Sequence, residues 1–415
     1  MINHGNGVLT TGRNRALKPE KASERTPEKE RNENGLENGL QIREAGRKWA
    51  KLQKQTQGFF MEVVLRTLIL SLMLLANSKM VRAASITWTN TAGGDWNNAL
   101  NWNPNLVPGS GDSASIPSGA LNVIIDSTNA TGSLTLGNGS TLTIATNGVL
   151  DIEAPFTIEG EVTNAGTVNW QAGTIEVLGP AGGYTGEIWN QAGALWDIQC
   201  DAPLQGGFGG ETFHNAGVVQ KDTTTGTTSF NIYLANSGSL NAESGTIALN
   251  ENYTETSLAK QMISIGGTEP NTSYGQIQFA SPHFAGSFNI TLLNGFRPNP
   301  GDSFSLLSYP SLTGDFNSMN GLDLGNGLKL VPHFSNTSLS LTAAAYSENS
   351  RPALSIYPTP SDELVSWPLN FTGWQLLTST NLSTAAWTGI AVPGTNNNIV
   401  LPRNGVKGFY RLKSN

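Results

Sequence analysis

From residue 85 onward, apolar and polar positions alternate in short runs, such as Ser133-Leu134-Thr135-Leu136 and Thr141-Leu142-Thr143-Ile144. An alternation of two places one residue type on each face of an extended strand, so these runs predict half-buried β-strands and not helices. Gly137-Asn138-Gly139 and Thr146-Asn147-Gly148 interrupt them with residues that tolerate the positive φ of tight turns. Strand and turn therefore succeed each other every few residues.

The pattern also repeats. Asn164 to Val177 aligns without a gap on Asn236 to Leu249, and both copies place glycines seven residues apart. Related corners occur between them, at Trp189 to Leu195 and Phe213 to Val219, so that Gly166, Gly193, Gly217 and Gly238 each follow an asparagine corner. Intervals of this size fit one coil of a solenoid, a unit that buries its apolar face only by stacking on the next. Asparagines at matching corners would then stack into a hydrogen-bonded ladder. A β-sandwich with similar turns is the competing architecture. The fold expected is all-β: a right-handed parallel β-helix over residues 121–260, a β-rich closing region over 261–346, a linker at 347–352 and a small β-sandwich-like module over 353–415.

The first 83 residues follow different rules. Residues 1–60 hold 12 of the 24 Lys+Arg beside seven glutamates and few apolar residues, a mix that predicts disorder. Residues 61–83 then show Arg66, an apolar run from Leu68 to Ala76 and a small-residue exit at Val81-Arg82-Ala83, the layout of a secretory signal peptide cleaved between Ala83 and Ala84. The uninterrupted run is about half of the roughly 20 residues a membrane-spanning helix needs. Its position 60 residues into the chain means either that Met61 is the translation start or that the segment is a short signal anchor. Export to the cell surface or the medium is the localisation expected, with no membrane span in the mature chain.

Removing residues 1–83 changes the charge picture. It leaves 9 basic and 23 acidic residues, a formal charge of −14 against −7 for the whole chain, which argues against a nucleic-acid partner. Cys200 is the only cysteine, so no intrachain disulfide forms and the residue reads as a small buried side chain.

The segment Trp88-x7-Trp96-x5-Trp102-x-Pro104-x3-Pro108-Gly109-x2-Asp112, followed by the asparagine-glycine coils, resembles the start of autotransporter-like β-helix passengers and related bacterial surface proteins. Tyr274 to Ile277, Gly286 to Phe296 and Pro300 to Leu307 resemble the end of such passengers. The resemblance implies a bacterial envelope protein with an adhesive or structural role. The chain departs from true autotransporters after that point, because about 70 residues remain where a translocating barrel requires at least eight strands of about 10 residues. That remainder, with Trp367, Trp374, Trp387 and Phe409-Tyr410, resembles a C-terminal β-module of surface proteins.

β-Helices also serve as enzymes, so chemistry has to be sought in residues and not in architecture. Glycoside hydrolysis needs paired carboxylates, and the adjacent Asp362-Glu363 reads as a solvated turn in the C-terminal module. Lyase chemistry needs a carboxylate cluster for calcium and a base, yet Lys221 is the only Lys or Arg between Ser85 and Lys260. His4, His214, His283 and His333 are too far apart in sequence to suggest a shared metal site. Gly206-Gly207-Phe208-Gly209-Gly210-Glu211 resembles half of a calcium-binding nonapeptide and reads as a flexible loop. No cofactor is expected, and a non-enzymatic structural or adhesive solenoid is the leading functional expectation, ahead of a polysaccharide lyase or hydrolase.

The best binding candidates are Trp88, Trp96 and Trp102, whose flat faces could stack on sugar rings beside Asn97, Asn98 and Asn101. That makes a carbohydrate-binding module, with polysaccharide or other envelope material as partner, the alternative function. The same three residues could instead cap the open apolar end of the solenoid over residues 84–120.

Overall fold

The computed structural model describes residues 33–77, 83–346, 352–369, 371, 373–382, 386–392, 397–403 and 408–414. It falls into two units, residues 1–82 and 83–415.

In the first unit, Glu33–Asn77 is one α-helix of 45 residues, exposed from Arg43 to Ile69. This corrects the expectation of disorder for residues 33–60; residues 1–32 lie outside the described residues. Low apolar content says that a segment cannot pack a core, not that it cannot coil. The stretch has no proline and is dense in Glu, Gln, Lys, Arg and Leu, which lose little side-chain freedom in a helix. Arg66 pairs with Glu62 one turn away at 2.8 Å. The helix runs on through the apolar part of the expected signal segment; residues 78–82 lie outside the described residues. Among the described residues, no helix is long and apolar enough to cross a membrane.

The second unit is a parallel β-helix with small antiparallel sheets at its end. A typical coil contributes three short strands, for example Phe156–Ile158, Glu161–Asn164 and Thr167–Trp170. Each pairs in parallel with its counterpart in the next coil: Ile175–Val177, Glu187–Asn190 and Leu195–Ile198. The alternation in sequence appears as alternation in burial, with every second residue of these strands inside. Identical positions then superpose along the axis. One interior column runs Leu150, Val168, Trp196, Val219, Leu240 in register, and all five are buried. Such a stack gives every coil two apolar neighbours, and covering that area drives the fold.

The asparagine corners stack as the repeat predicts. Asn164 donates to Asn190 at 2.9 Å, Asn190 to Asn215 at 2.8 Å, and Asn215 to Asn236 at 2.8 Å. Each of the first three also donates to a backbone carbonyl of the following coil, from Leu195, Val218 and Ser239. The ladder ends on a different chemistry: Asn236 donates to the Tyr253 hydroxyl, which donates to the Glu255 carboxylate at 2.8 Å.

The coils extend further than the repeat motif does. Lys260–Ile265, Ser287–Leu292 and Ser318–Asn320 continue the same nine-stranded parallel sheet, so the stack ends at Asn320 and not at residue 260. Only Ser303–Ser308, Leu328–Phe334 and Ser338–Ala345 form the antiparallel closure. Stacking also begins earlier than expected, because Ser85–Trp88 already pairs in parallel with Ser113–Ile116.

Among its described residues, the C-terminal module forms two three-stranded antiparallel sheets. Val365, Trp367 and Leu376 form a core shared between them. It rests on the last coil through Val400, whose N–H donates to the Asn317 carbonyl at 3.3 Å, and Asn398, which accepts from the Met319 N–H at 3.2 Å.

Candidate functional site

Trp88, Trp96 and Trp102 are at most 1% exposed. Trp102 lies edge-on between the others, with ring centroids 4.9 Å from Trp88 and 4.7 Å from Trp96. The Trp102 indole donates to the Trp96 carbonyl at 2.7 Å. No indole face is free to stack on a sugar, so the glycan-contact expectation for these residues is corrected and the capping one describes them. The amides follow suit: Asn98 caps the short helix Ala99–Asn101 by accepting from the Leu100 N–H, and Asn101 is buried and donates to the Asp95 carbonyl. An open end of apolar coils offers more area to three indoles than a passing ligand would, and edge-to-face rings fill it densely.

Other reactive groups of the coils are bound up in structure. Lys221 is fully buried and donates to the Cys200 carbonyl at 3.0 Å and the Asp201 carboxylate at 2.8 Å. Glu211 is buried and accepts backbone N–H groups from Gly179, Phe208 and Gly209 at 2.7 to 3.1 Å. Burial pushes its carboxyl up, but those donors outweigh it and hold it below the usual value of 4.5. The glycine-rich loop thus carries a clamp, not a liganding carboxylate, and among the described residues no three His, Cys, Asp or Glu side chains converge as a metal site. His214 stacks on Trp189 with centroids 3.7 Å apart; burial lowers its pKa, against the pull of nearby Glu187. His283 faces Thr313 at 3.1 Å, and His4 lies outside the described residues. Asp362 and Glu363 open the strand Asp362–Ser366 instead of forming a turn, and Glu363 accepts from the Tyr410 hydroxyl. Cys200 is buried and free, and burial raises its thiol pKa.

The expected cleavage pair lies at the very start of the second unit, where Ala83 is exposed and Ala84 half-buried. The Ala84 N–H donates to the Asp112 carboxylate at 2.9 Å, and the other oxygen of Asp112 accepts from the Gly109 N–H at 2.9 Å.

A further concavity lies elsewhere, in a place the sequence did not suggest. A cavity of about 190 Å³ opens where the antiparallel closure meets the C-terminal module, lined by Asp323, Lys329, Ser355, Tyr357, Trp367 and Phe371 among others. Along Leu328–Phe334 the buried residues are Leu328, Leu330 and Pro332, so Lys329 projects from the opposite face of the strand. Its ammonium donates to the Tyr357 hydroxyl at 3.1 Å and the Ser355 hydroxyl at 3.3 Å, and lies 5.7 Å from the Tyr357 ring centre. Asp323 faces the same space but is already engaged, accepting from the Gly325 N–H, the Tyr346 hydroxyl and the Leu369 N–H at 2.7 to 3.0 Å. Trp367 is 5% exposed, and among the described residues its indole N–H has no hydrogen-bond partner. Sequence reasoning missed this set because its members come from strands about 30 residues apart, without a shared motif. The only hint was the density of aromatics after residue 353.

Neither family models nor curated proteins give a match to this chain. The likeness to autotransporter-like passengers therefore stands on the quoted motifs alone.

Proposed function

We propose that this protein is exported through residues 61–83, is cut between Ala83 and Ala84, and acts at the cell surface or in the medium as a non-enzymatic, structural and adhesive β-solenoid, in the manner of autotransporter-like passengers without a barrel. One observation supports the non-enzymatic reading: Lys221, Glu211 and Glu255, the fully or nearly buried ionisable groups of the coils, are spent on hydrogen bonds that join one coil to another. What remains outside includes a polar strip. Along the nine-stranded sheet one polar column reads Asp151, Asn169, Asp197, Gln220, each partly exposed, with Asn169 donating to Asp151; it ends at Asn241, which is buried and donates to Gln220. At about 4.8 Å per strand these four positions span about 14 Å, a polar surface suited to weak contacts with polysaccharide or other envelope material.

The Ala84–Asp112 contact supports the processing site. Cleavage after Ala83 turns the Ala84 amide into an α-ammonium facing a buried carboxylate, and a charge-assisted bond of that kind is stronger than the one it replaces. Expression of the full chain in a bacterium, with fractionation and N-terminal sequencing, tests the reading. Extracytoplasmic protein beginning at Ala84, co-sedimenting with insoluble polysaccharide or cell envelopes, is expected. Cytosolic protein that keeps residues 61–83 overturns export, and no co-sedimentation overturns adhesion.

A further inference from the structure

We propose that the cavity between the antiparallel closure and the C-terminal module binds a single carboxylate-bearing sugar ring, the terminal uronic acid residue of an acidic polysaccharide. This deepens the adhesive reading by naming a partner chemistry, and it rests on that reading only for its biological setting.

The charge of the cavity decides the sign of the ligand. Lys329 is satisfied by hydroxyls alone: among the described residues no carboxylate forms an ion pair with it. The carboxylate in the same cavity, Asp323, has three donors of its own. In a unit with a large excess of acidic residues, an ammonium bonded only to hydroxyls can take an anion from outside as a charge-assisted partner, and Tyr357 and Ser355 hold it in place.

The walls decide the shape. Trp367, Tyr357 and Phe371 give apolar surface for the C–H face of a pyranose. A volume of about 190 Å³ lies below the usual span for drug-sized ligands and matches one ring, not a chain threaded through. A bare phosphate would satisfy the ammonium but leave the aromatic walls uncovered.

The test is isothermal titration of the full chain with galacturonic acid, glucuronic acid, galactose, glucose and inorganic phosphate, repeated with digalacturonate. Uronates are expected to bind, with the disaccharide close to the monosaccharide and neutral sugars weaker by about ten-fold, the worth of one charge-assisted bond. Lys329→Met should bring uronate binding down to the neutral level. Circular dichroism and unchanged melting of Lys329→Met establish that its fold is kept. Lack of uronate binding, equal binding of neutral sugars, phosphate binding as tight as uronate, or uronate binding unaffected by Lys329→Met would each overturn the proposal. Export and N-terminal processing are read separately, so failure here leaves the wider reading standing, and the reverse.

Discussion

A buried carboxylate in a wall almost free of cations has to be held by something other than an ion pair, and Glu211 is held by backbone. Its donors come from its own loop and from Gly179, 32 residues earlier, so one side chain ties two coils together. Because its folded pKa is depressed, its stabilisation is fully present above the unfolded value near 4.5 and is lost as pH falls through the folded value. Glu211→Gln puts an amide N–H₂ against backbone N–H groups. A loss of about 2–3 kcal/mol at neutral pH is expected, as for a buried charged acceptor removed from its donors. Urea unfolding at about pH 7 and about pH 3.5 checks both parts, since the wild type should lose more stability than the variant across that range. Equal pH sensitivity would assign the acid lability to other groups, of which Asp201 is the first to examine: burial raises its carboxyl, but Lys221 and Thr224 pull it lower. None of this was legible from the sequence, where Gly206 to Glu211 suggested a flexible loop. Backbone donors leave no mark in a residue string.

At the scale of the coil, two corner glycines serve different ends. Gly193 adopts φ +87° with open space where a Cβ would stand, so its requirement is conformational. A Cβ on Gly238 would lie 2.1 Å from the Gly217 carbonyl oxygen and 2.5 Å from the Ala216 carbonyl carbon, backbone of the preceding coil that has no room to yield. Alanine at either position destabilises, by about 1–2 kcal/mol at Gly193 from the left-handed backbone and about 2–3 kcal/mol at Gly238 from overpacking. Asparagine separates the causes. Gly193→Asn should recover much of the stability in thermal melts because asparagine tolerates the left-handed region, whereas Gly238→Asn should be at least as damaging as alanine. The repeat was legible because these corners combine a ladder amide with a glycine at a regular interval. It faded from view after residue 250 for a physical reason: the ladder ends on Tyr253 and Glu255, and the corner preceding Lys260 is Thr256 to Ala259, with no asparagine or glycine. Coils persist there without the residues that announce them. The tryptophan segment shows the opposite case, where the residues were seen but composition alone could not say whether indoles face inward or outward.

At the scale of the molecule, the two ends of the stack are closed by different means, and the closures should matter only locally. The first coil is sealed by three interlocked indoles. The last is covered by the C-terminal module, which Asp315 also holds, accepting from the Thr359 hydroxyl and from the N–H groups of Ser361 and Asp362. Leu364 of the module is fully buried and belongs to the same apolar cluster as the coils. In a solenoid each unit touches only its neighbours, so loss of an end cap loosens the adjacent coils while the centre keeps its contacts. A chain ending at Tyr346 is therefore expected to stay folded, with amide exchange faster at Ser318–Asn320 and Leu328–Phe334 and unchanged at Thr167–Trp170 and Leu195–Ile198. The opposite truncation, starting after Trp102, should accelerate exchange at Ser113–Ile116 and spare the centre in the same way. Uniform acceleration in either variant would mean that the stack unfolds as one cooperative body, and the caps would then set the stability of the whole rod and not only of its ends.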